Sequence, residues 1–282
     1  MAINWYPGHM KKTNELIREN LKIVDLVIEI VDARIPYSSR NPILKEISAN
    51  KHHIIVMNKS DLADSRISEL WKKEYTKDNT RCIMYNSTKD STAKFFNSIN
   101  DIADEILLKY KKKGFFNRQL KAMVVGIPNV GKSTFINRIA KRKGAATGDK
   151  PGVTKGKQWI KVKNGIDLLD TPGILWPKIE TDIQGYNLAC TGAIREEILN
   201  KNDIATYIVE FLNKNYKDYL VKKYQIETGD KETYAIIDDI ARRNGCILKG
   251  DELDYERVSR LIINDFRSGK LGKITMEKPE NA

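Results

Sequence analysis

The stretch Ala122-Met-Val-Val-Gly-Ile-Pro-Asn-Val-Gly-Lys-Ser133 limits what this chain can fold into more than any other. A short β-branched run, Met123 to Val125, stops at Gly126, and the spacing to Gly131-Lys132-Ser133 fits G-x-x-x-x-G-K-[ST]. An amphipathic run (Phe135, Ile136, Ile139) follows. Strand, glycine loop and helix in that order predict a phosphate-binding loop in an α/β fold. Glycines let backbone N–H groups turn inward around phosphate oxygens, and the helix N-terminus adds a positive dipole end. Gly126, Pro128, Asn129, Val130, Gly131, Lys132, Ser133 and Thr134 would line the phosphates. Lys132 would reach the β- and γ-phosphates, and the Ser133 hydroxyl would ligate Mg²⁺.

At 282 residues the chain has room for two domains, and 41% hydrophobic residues are enough for packed cores. Its three cysteines (Cys82, Cys190, Cys246) show no C-x-x-C spacing, which predicts reduced thiols in a cytoplasmic protein with neither disulfide nor zinc. The N-terminus lacks an apolar h-region and no apolar run approaches membrane-spanning length, so the expectation is neither secretion nor a membrane. Net charge is +12, and its distribution says more than its total. Residues 109–163 carry sixteen Lys/Arg and one acid, Asp149, while 178–282 carry seventeen Lys/Arg against nineteen Asp/Glu. Lys111-Lys112-Lys113 and Lys141-Arg142-Lys143 have no part in a phosphate site. They read as a solvated surface or as the footprint of a polyanion such as RNA.

Residues 1–10 form an extended aromatic leader with a turn at Pro7-Gly8 before His9, and 11–22 show helical spacing. Val24 to Val31 reads as a strand buried on both faces, opening into the turn-rich loop Asp32–Pro42 with its two arginines. After a helix at 43–49, a second buried strand, Ile54 to Met57, ends in Asn58-Lys59-Ser60-Asp61, an N-K-x-D pattern. The Asp61 carboxylate can accept from guanine N1–H and the 2-amino group, a donor pair that adenine lacks. Asn58 would bond the other edge of the base or tie this loop to the phosphate loop, and the Lys59 stem would cover the ring. A helix at 65–77 and a strand at 81–85 lead to Asn86-Ser87-Thr88, where a second base-contacting turn belongs; Thr88 replaces the alanine of the usual Ser-Ala-Lys. A long helix, 91–110, and the linker Lys111–Arg118 feed the phosphate-loop strand.

Downstream, Gly144–Lys157 is placed to be a switch segment in which Thr154 would offer its hydroxyl to Mg²⁺. A hairpin of strands 158–163 and 166–169 around Asn164-Gly165 delivers Asp170-Thr-Pro-Gly173, a D-x-x-G box. There Asp170 would hold Mg²⁺ through water and the Gly173 amide would meet the γ-phosphate. Beyond about 178 the periodicity is helical throughout, at 187–199, 203–214, 217–225, 231–244 and 254–268. The last dozen residues are polar and read as a loose tail. The expected domains are a nucleotide domain over 1–177, with 1–22 as leader beside the second switch, and an all-helical RNA-binding domain over 178–282.

The base-reading boxes precede the phosphate loop and D-T-P-G, the reverse of ordinary GTPases. One α/β sheet accommodates this if the chain is cut at one connection and its former ends joined. This order, the Asp32–Pro42 loop and the leader Trp5-Tyr-Pro-Gly-His-Met10 resemble the circularly permuted GTPases of the YlqF/RbgA type along essentially the whole chain. The resemblance implies a mostly parallel P-loop GTPase sheet with helices on both faces, followed by a small helical domain. It implies a GTPase cycling between GTP and GDP, acting late in maturation of the large (50S) ribosomal subunit, stimulated by that particle and contacting its rRNA. It also gives His9 the role of orienting the attacking water, since Ile174 stands where Ras-like enzymes keep glutamine. Asn129 resembles the asparagine that coordinates K⁺ in potassium-stimulated GTPases. A cytoplasmic monomer is expected; the alternative is a nucleotide-gated RNA-binding checkpoint with incidental hydrolysis.

Overall fold

The computed structural model describes residues 15, 18–42, 44, 51–77, 80–141, 158–162, 165–171, 173, 179, 181–194 and 199–279. His9, Thr154, Ile174 and, apart from Leu44, the helix expected at 43–49 lie outside the described residues. Strands β1 (Leu26–Asp32), β2 (His52–Asn58), β3 (Thr80–Met84), β4 (Leu120–Val125), β5 (Gln158–Val162) and β6 (Ile166–Asp170) form one sheet in the order β3-β2-β1-β4-β6-β5. All neighbours are parallel except the β5–β6 hairpin at the edge. Every residue of β1 is buried, as expected for a parallel strand covered on both faces.

Helix α1 (Ser65–Tyr75) covers one face, where Ile67, Trp71 and Tyr75 cluster with Val31, Ile55 and Met57. Helices α2 (Thr92–Lys112) and α3 (Lys132–Ala140) cover the other: Phe95, Ile99, Phe135 and Ile136 share a cluster with Ile28, Ile30, Val56 and Val124. α2 carries the chain from edge strand β3 past β2 and β1 to β4. Its 21 residues span about 31 Å, enough to cross two strands and return. This helix and the linker behind it are the joint that the permuted order requires.

Among the described residues five helices follow: α4 (Asp182–Cys190), α5 (Lys201–Asn215), α6 (Lys217–Tyr224), α7 (Thr233–Arg243) and α8 (Tyr255–Arg267). Their core is Ile204, Ile208 and Leu212 of α5 against Ile236 and Ile240 of α7 and Val258, Ile262 and Phe266 of α8. The periodicity placed the first of them at 187–199, but it spans 182–190. α4 is buried around most of its circumference, through Gln184, Gly185, Asn187, Leu188, Ala189 and Cys190, so it carries no apolar stripe to read. Among the described residues no helix is long and apolar enough to cross a membrane.

The expectation of a loose tail is corrected: residues 271–279 are strapped across the first half of the chain. Leu271, Ile274 and Met276 are buried. Ile274 N–H donates to Leu62 O (2.9 Å) and Met276 N–H to Arg34 O (2.8 Å). Thr275 Oγ1 accepts from Asp64 N–H, and Trp71 Nε1 donates to Glu277 O (2.9 Å). The Glu277 carboxylate accepts from Tyr37 N–H (2.6 Å), Asn187 Nδ2 (2.9 Å) and the Ser38 hydroxyl. The tail's polar composition reflects specific partners, and alternating Ile274 and Met276 point into the core. Truncation after Lys273 removes two buried apolar side chains, and urea unfolding should show a loss of about 3–6 kcal/mol.

Candidate nucleotide-binding site

The boxes picked out in the sequence converge at the carboxyl ends of neighbouring parallel strands, where ligands bind in open α/β sheets. Asn58 closes β2, Asn86–Thr88 follow β3, the glycine loop follows β4, and Asp170 closes β6. The glycine loop makes two unusual turns, at Asn129 (φ +61°) and Gly131 (φ +90°). A Cβ on Gly131 would lie 2.4 Å from Asn58 Nδ2, so the position needs glycine for backbone and neighbour alike. Gly131 is also the N-cap of α3 and supplies no side-chain acceptor, whereas Asp64, Ser91, Thr181, Asn200 and Asp254 cap their helices. The first-turn N–H groups of α3, beside Ser133 and Thr134, therefore face the position a phosphate would take.

Asn58 holds three loops together. Its Nδ2 donates to Val130 O (2.8 Å) and its Oδ1 accepts from Ser87 N–H (3.0 Å) and Ser87 Oγ (2.8 Å). Of the two roles open to Asn58, the structure displays the loop-tying one. Asn86 shapes the second turn, its Oδ1 accepting from Thr88 N–H, Thr88 Oγ1 and Lys89 N–H. Asp61 is about one-third exposed and faces Lys89 Nζ at 3.1 Å. An open cleft of about 690 Å³ lies between Ser87, Ser91 and Thr92 on one side and Thr134, Asn137 and Arg138 of α3 on the other. Arg138 spans its floor, donating to the Lys89 and Asp90 carbonyls.

Lys59 is anchored at both ends. It adopts φ +57°, and its Nζ donates to Asn129 O (2.6 Å) and pairs with Asp32 (2.9 Å). Asp32 is buried and also takes a two-pronged bond from buried Arg34, Nε at 2.9 Å and Nη2 at 2.8 Å. Burial alone would raise the Asp32 carboxyl, but the Arg34 and Lys59 charges overcome it and hold it well below the usual carboxylate range. Arg34 Nη1 then donates to Phe266 O (3.3 Å) at the end of α8. From the same turn, Arg267 donates to the Ala189 and Cys190 carbonyls of α4. Two residues further on, Gly192 O accepts from Asn129 Nδ2 (2.5 Å), which closes the circuit at the phosphate loop.

The Asp32–Arg34 pair, Lys89 and Gly192 were not singled out from the sequence as site residues. Two opposite charges two residues apart, at the buried end of a strand, are the signal that could have found the first of them.

On the other flank, Asp170 and Lys132 are buried and face each other at 3.4 Å. Burial raises the Asp170 carboxyl and depresses the Lys132 ammonium, each shift opposed by the partner's charge. Thr171 Oγ1 donates to Val124 O (2.8 Å), stitching the D-x-x-G box to β4. A Cβ on Gly173 would come within 3.1 Å of Pro128 N, so this box runs against the glycine loop. The donor set suits a hard cation: a hydroxyl at Ser133 and a buried carboxylate at Asp170, with the remaining ligands left to phosphate and water.

A parallel sheet with base-reading boxes ahead of the phosphate loop, all at one end, defines a circularly permuted P-loop GTPase. Residues 121–242 match the family described as 50S ribosome-binding GTPase, which begins at the glycine-loop strand and leaves N-K-x-D upstream. The chain is 45% identical over 285 residues to ribosome biogenesis GTPase A of Bacillus licheniformis, covering all of both chains. It is 31% identical to mitochondrial ribosome-associated GTPase 1 of Mus musculus, covering 97% of this chain and 90% of that one. Among solved structures, GNP-bound YlqF from T. maritima is similar with a TM-score of 0.68 and 26% identity, over 95% of this chain and 99% of that one. The chain belongs to the ribosome biogenesis GTPase A family and is a GTPase.

Two outcomes follow from this geometry. Gly131→Ala should push Asn58 from Val130 and cost about 1–3 kcal/mol in thermal or urea unfolding, with weaker guanine-nucleotide binding. Asp32→Asn should cost about 3–5 kcal/mol at neutral pH by leaving Arg34 and Lys59 without their anion. A depressed carboxyl stabilises the fold above its unfolded value of 3.8 and loses that contribution as pH falls below it. The gap between wild type and Asp32→Asn in urea unfolding should therefore narrow by about 1 kcal/mol between about pH 5 and about pH 3.

Proposed function

We propose that this GTPase is a switch that binds the precursor of the large ribosomal subunit through rRNA and promotes its late assembly, with hydrolysis stimulated by the particle. The observation that carries the switch is the polar circuit joining both nucleotide loops to the helical region: Lys59–Asp32–Arg34–Phe266 and Asn129–Gly192. The names of full-length relatives support the ribosomal partner, as does the excess of cations over residues 109–163. A nucleotide domain over 1–177 and a helical rRNA-binding domain over 178–282 fit this division of labour, in a cytoplasmic monomer.

In this reading Asp61 accepts from the guanine N1–H and amino group, and Thr88 N–H turns from Asn86 Oδ1 to the base oxygen when the nucleotide binds. Lys59 lies along the base. The α3 amides, Lys132 and the Gly173 amide would hold the phosphates, and Ser133, Thr154 and, through water, Asp170 would hold Mg²⁺, which would neutralise phosphate charge. His9 orients the attacking water when the particle positions the leader. Asn129 adds K⁺ beside the phosphates; the bond from its Nδ2 to Gly192 O offers another reason for an amide there.

The second reading, an RNA-binding checkpoint whose hydrolysis is incidental, is favoured by Ile174, which cannot orient water. Turnover with and without purified large subunits separates the two: strong stimulation is expected, and turnover unaffected by the particle selects the checkpoint. Asp61→Asn should weaken GTP about 10²-fold or more and accept xanthosine triphosphate, whose C2 oxygen replaces the amino donor. Equal affinities of the unmodified chain for ATP and GTP would remove Asp61 from the site. His9→Ala should abolish particle stimulation, and replacing potassium by sodium should slow hydrolysis.

A further inference from the structure

The amino end of β4, opposite the nucleotide boxes, carries a surface that the fold does not account for. α2 ends in a two-bond closure: Gly114 (φ +85°) donates to Lys111 O and Phe115 N–H to Tyr110 O, both at 3.0 Å. The closure folds Phe115 edge-on against Tyr110, with ring centroids 6.3 Å apart. Buried Asp25 pins the segment from below, accepting from Tyr110 Oη (2.6 Å), Arg118 Nη2 (2.9 Å) and Lys121 N–H (3.0 Å). Phe116 is then held out with 73% of its surface exposed.

Lys111, Lys112 and Lys113 surround this turn, are exposed, and have no ion pair among the described residues. From Ile106 to Lys121 the chain contains no acid, and Asp25 is already satisfied. Lys121 leans away from this end, its Nζ 5.5 Å from the ring centroid of Trp159, which the register sets level with Met123. Lysines in a last helical turn complement the helix dipole and need no partner. An apolar ring held out among them on a braced turn is not explained that way.

We propose that this surface docks unpaired RNA, with a base stacked on Phe116 and the flanking phosphates on Lys111–Lys113. The proposal rests on the ribosomal reading above and names the place and the mode of contact. Aromatic faces take any unstacked base, and ammonium groups displace counterions from the backbone. A duplex offers neither a free base face nor the same reach. The unbroken basic stretch from Ile106 to Lys121 favours an acidic polynucleotide over an apolar protein partner.

The test is co-sedimentation of the full chain with purified large subunits in a non-hydrolysable GTP analogue, across a salt series. Phe116→Ala should weaken binding roughly 5- to 150-fold, the range for one base–aromatic stack, while Phe116→Trp retains it. Gln at 111, 112 and 113 together should lower the log–log salt slope by about 2. Basal GTP hydrolysis should be unchanged in each, since these side chains lie away from the nucleotide loops. A photo-crosslinking phenylalanine analogue at 116 should be recovered on RNA. If the unmodified chain fails to sediment with particles, the ribosomal reading falls; if it sediments but Phe116→Ala binds equally well, only this surface falls. Recovery of the crosslink on a ribosomal protein overturns the RNA occupant.

Discussion

The buried carboxylate of Asp32 is the contact on which the other arrangements depend. It sits at the end of the most buried strand and carries two cations, one from its own loop and one from the N-K-x-D loop. Because burial makes each of these charges expensive alone, the three stand or fall together. Beside this anchor Lys59 reaches the glycine loop, and Arg34 reaches the α8 carbonyls. The position of Lys59 and part of the seating of the helical region thus lean on one charge.

β1 and β2 are neighbours in the sheet, with Asp32 in register with Asn58, so the loop after β1 lies next to the N-K-x-D loop. The permuted order adds that the chain runs on from the D-x-x-G box to the helices. α2 closes the sheet by carrying the chain across two strands, which leaves its basic end on the side away from the nucleotide. The apolar core follows suit: residues of the sheet, the glycine loop and the C-terminal helices belong to one cluster, so the two regions share an interior rather than touching across a polar seam.

Much of the site was legible because its chemistry sits in consecutive residues. Gly126 to Ser133, Asn58 to Asp61 and Asp170 to Gly173 each carry strand end, turn and ligand groups in a row, and the parallel sheet followed from the apolar runs at β1, β2 and β4. What stayed hidden depends on distant partners. Whether Asn58 meets a base or a loop is decided by Val130, 72 residues away, and nothing local marks Gly192 as the acceptor for Asn129. α4 is apolar on too many sides to show a period, and the tail's polar residues look solvated until Leu62, Asp64 and Trp71 are placed beside them.

The strap at 274–277 also sets an order of events during synthesis. The loop after β1 is made early, yet the carboxylate that receives the Tyr37 and Ser38 amides belongs to a residue 240 positions later. At translation rates of about 5–20 residues per second, roughly 12–48 s separate the two. Late in that interval a nascent chain can hold strands and a glycine loop while the Arg34 loop still waits for its strap. The loop that carries Arg34 is thereby seated by one of the last segments to be made, so an unfinished chain lacks the strap that holds it.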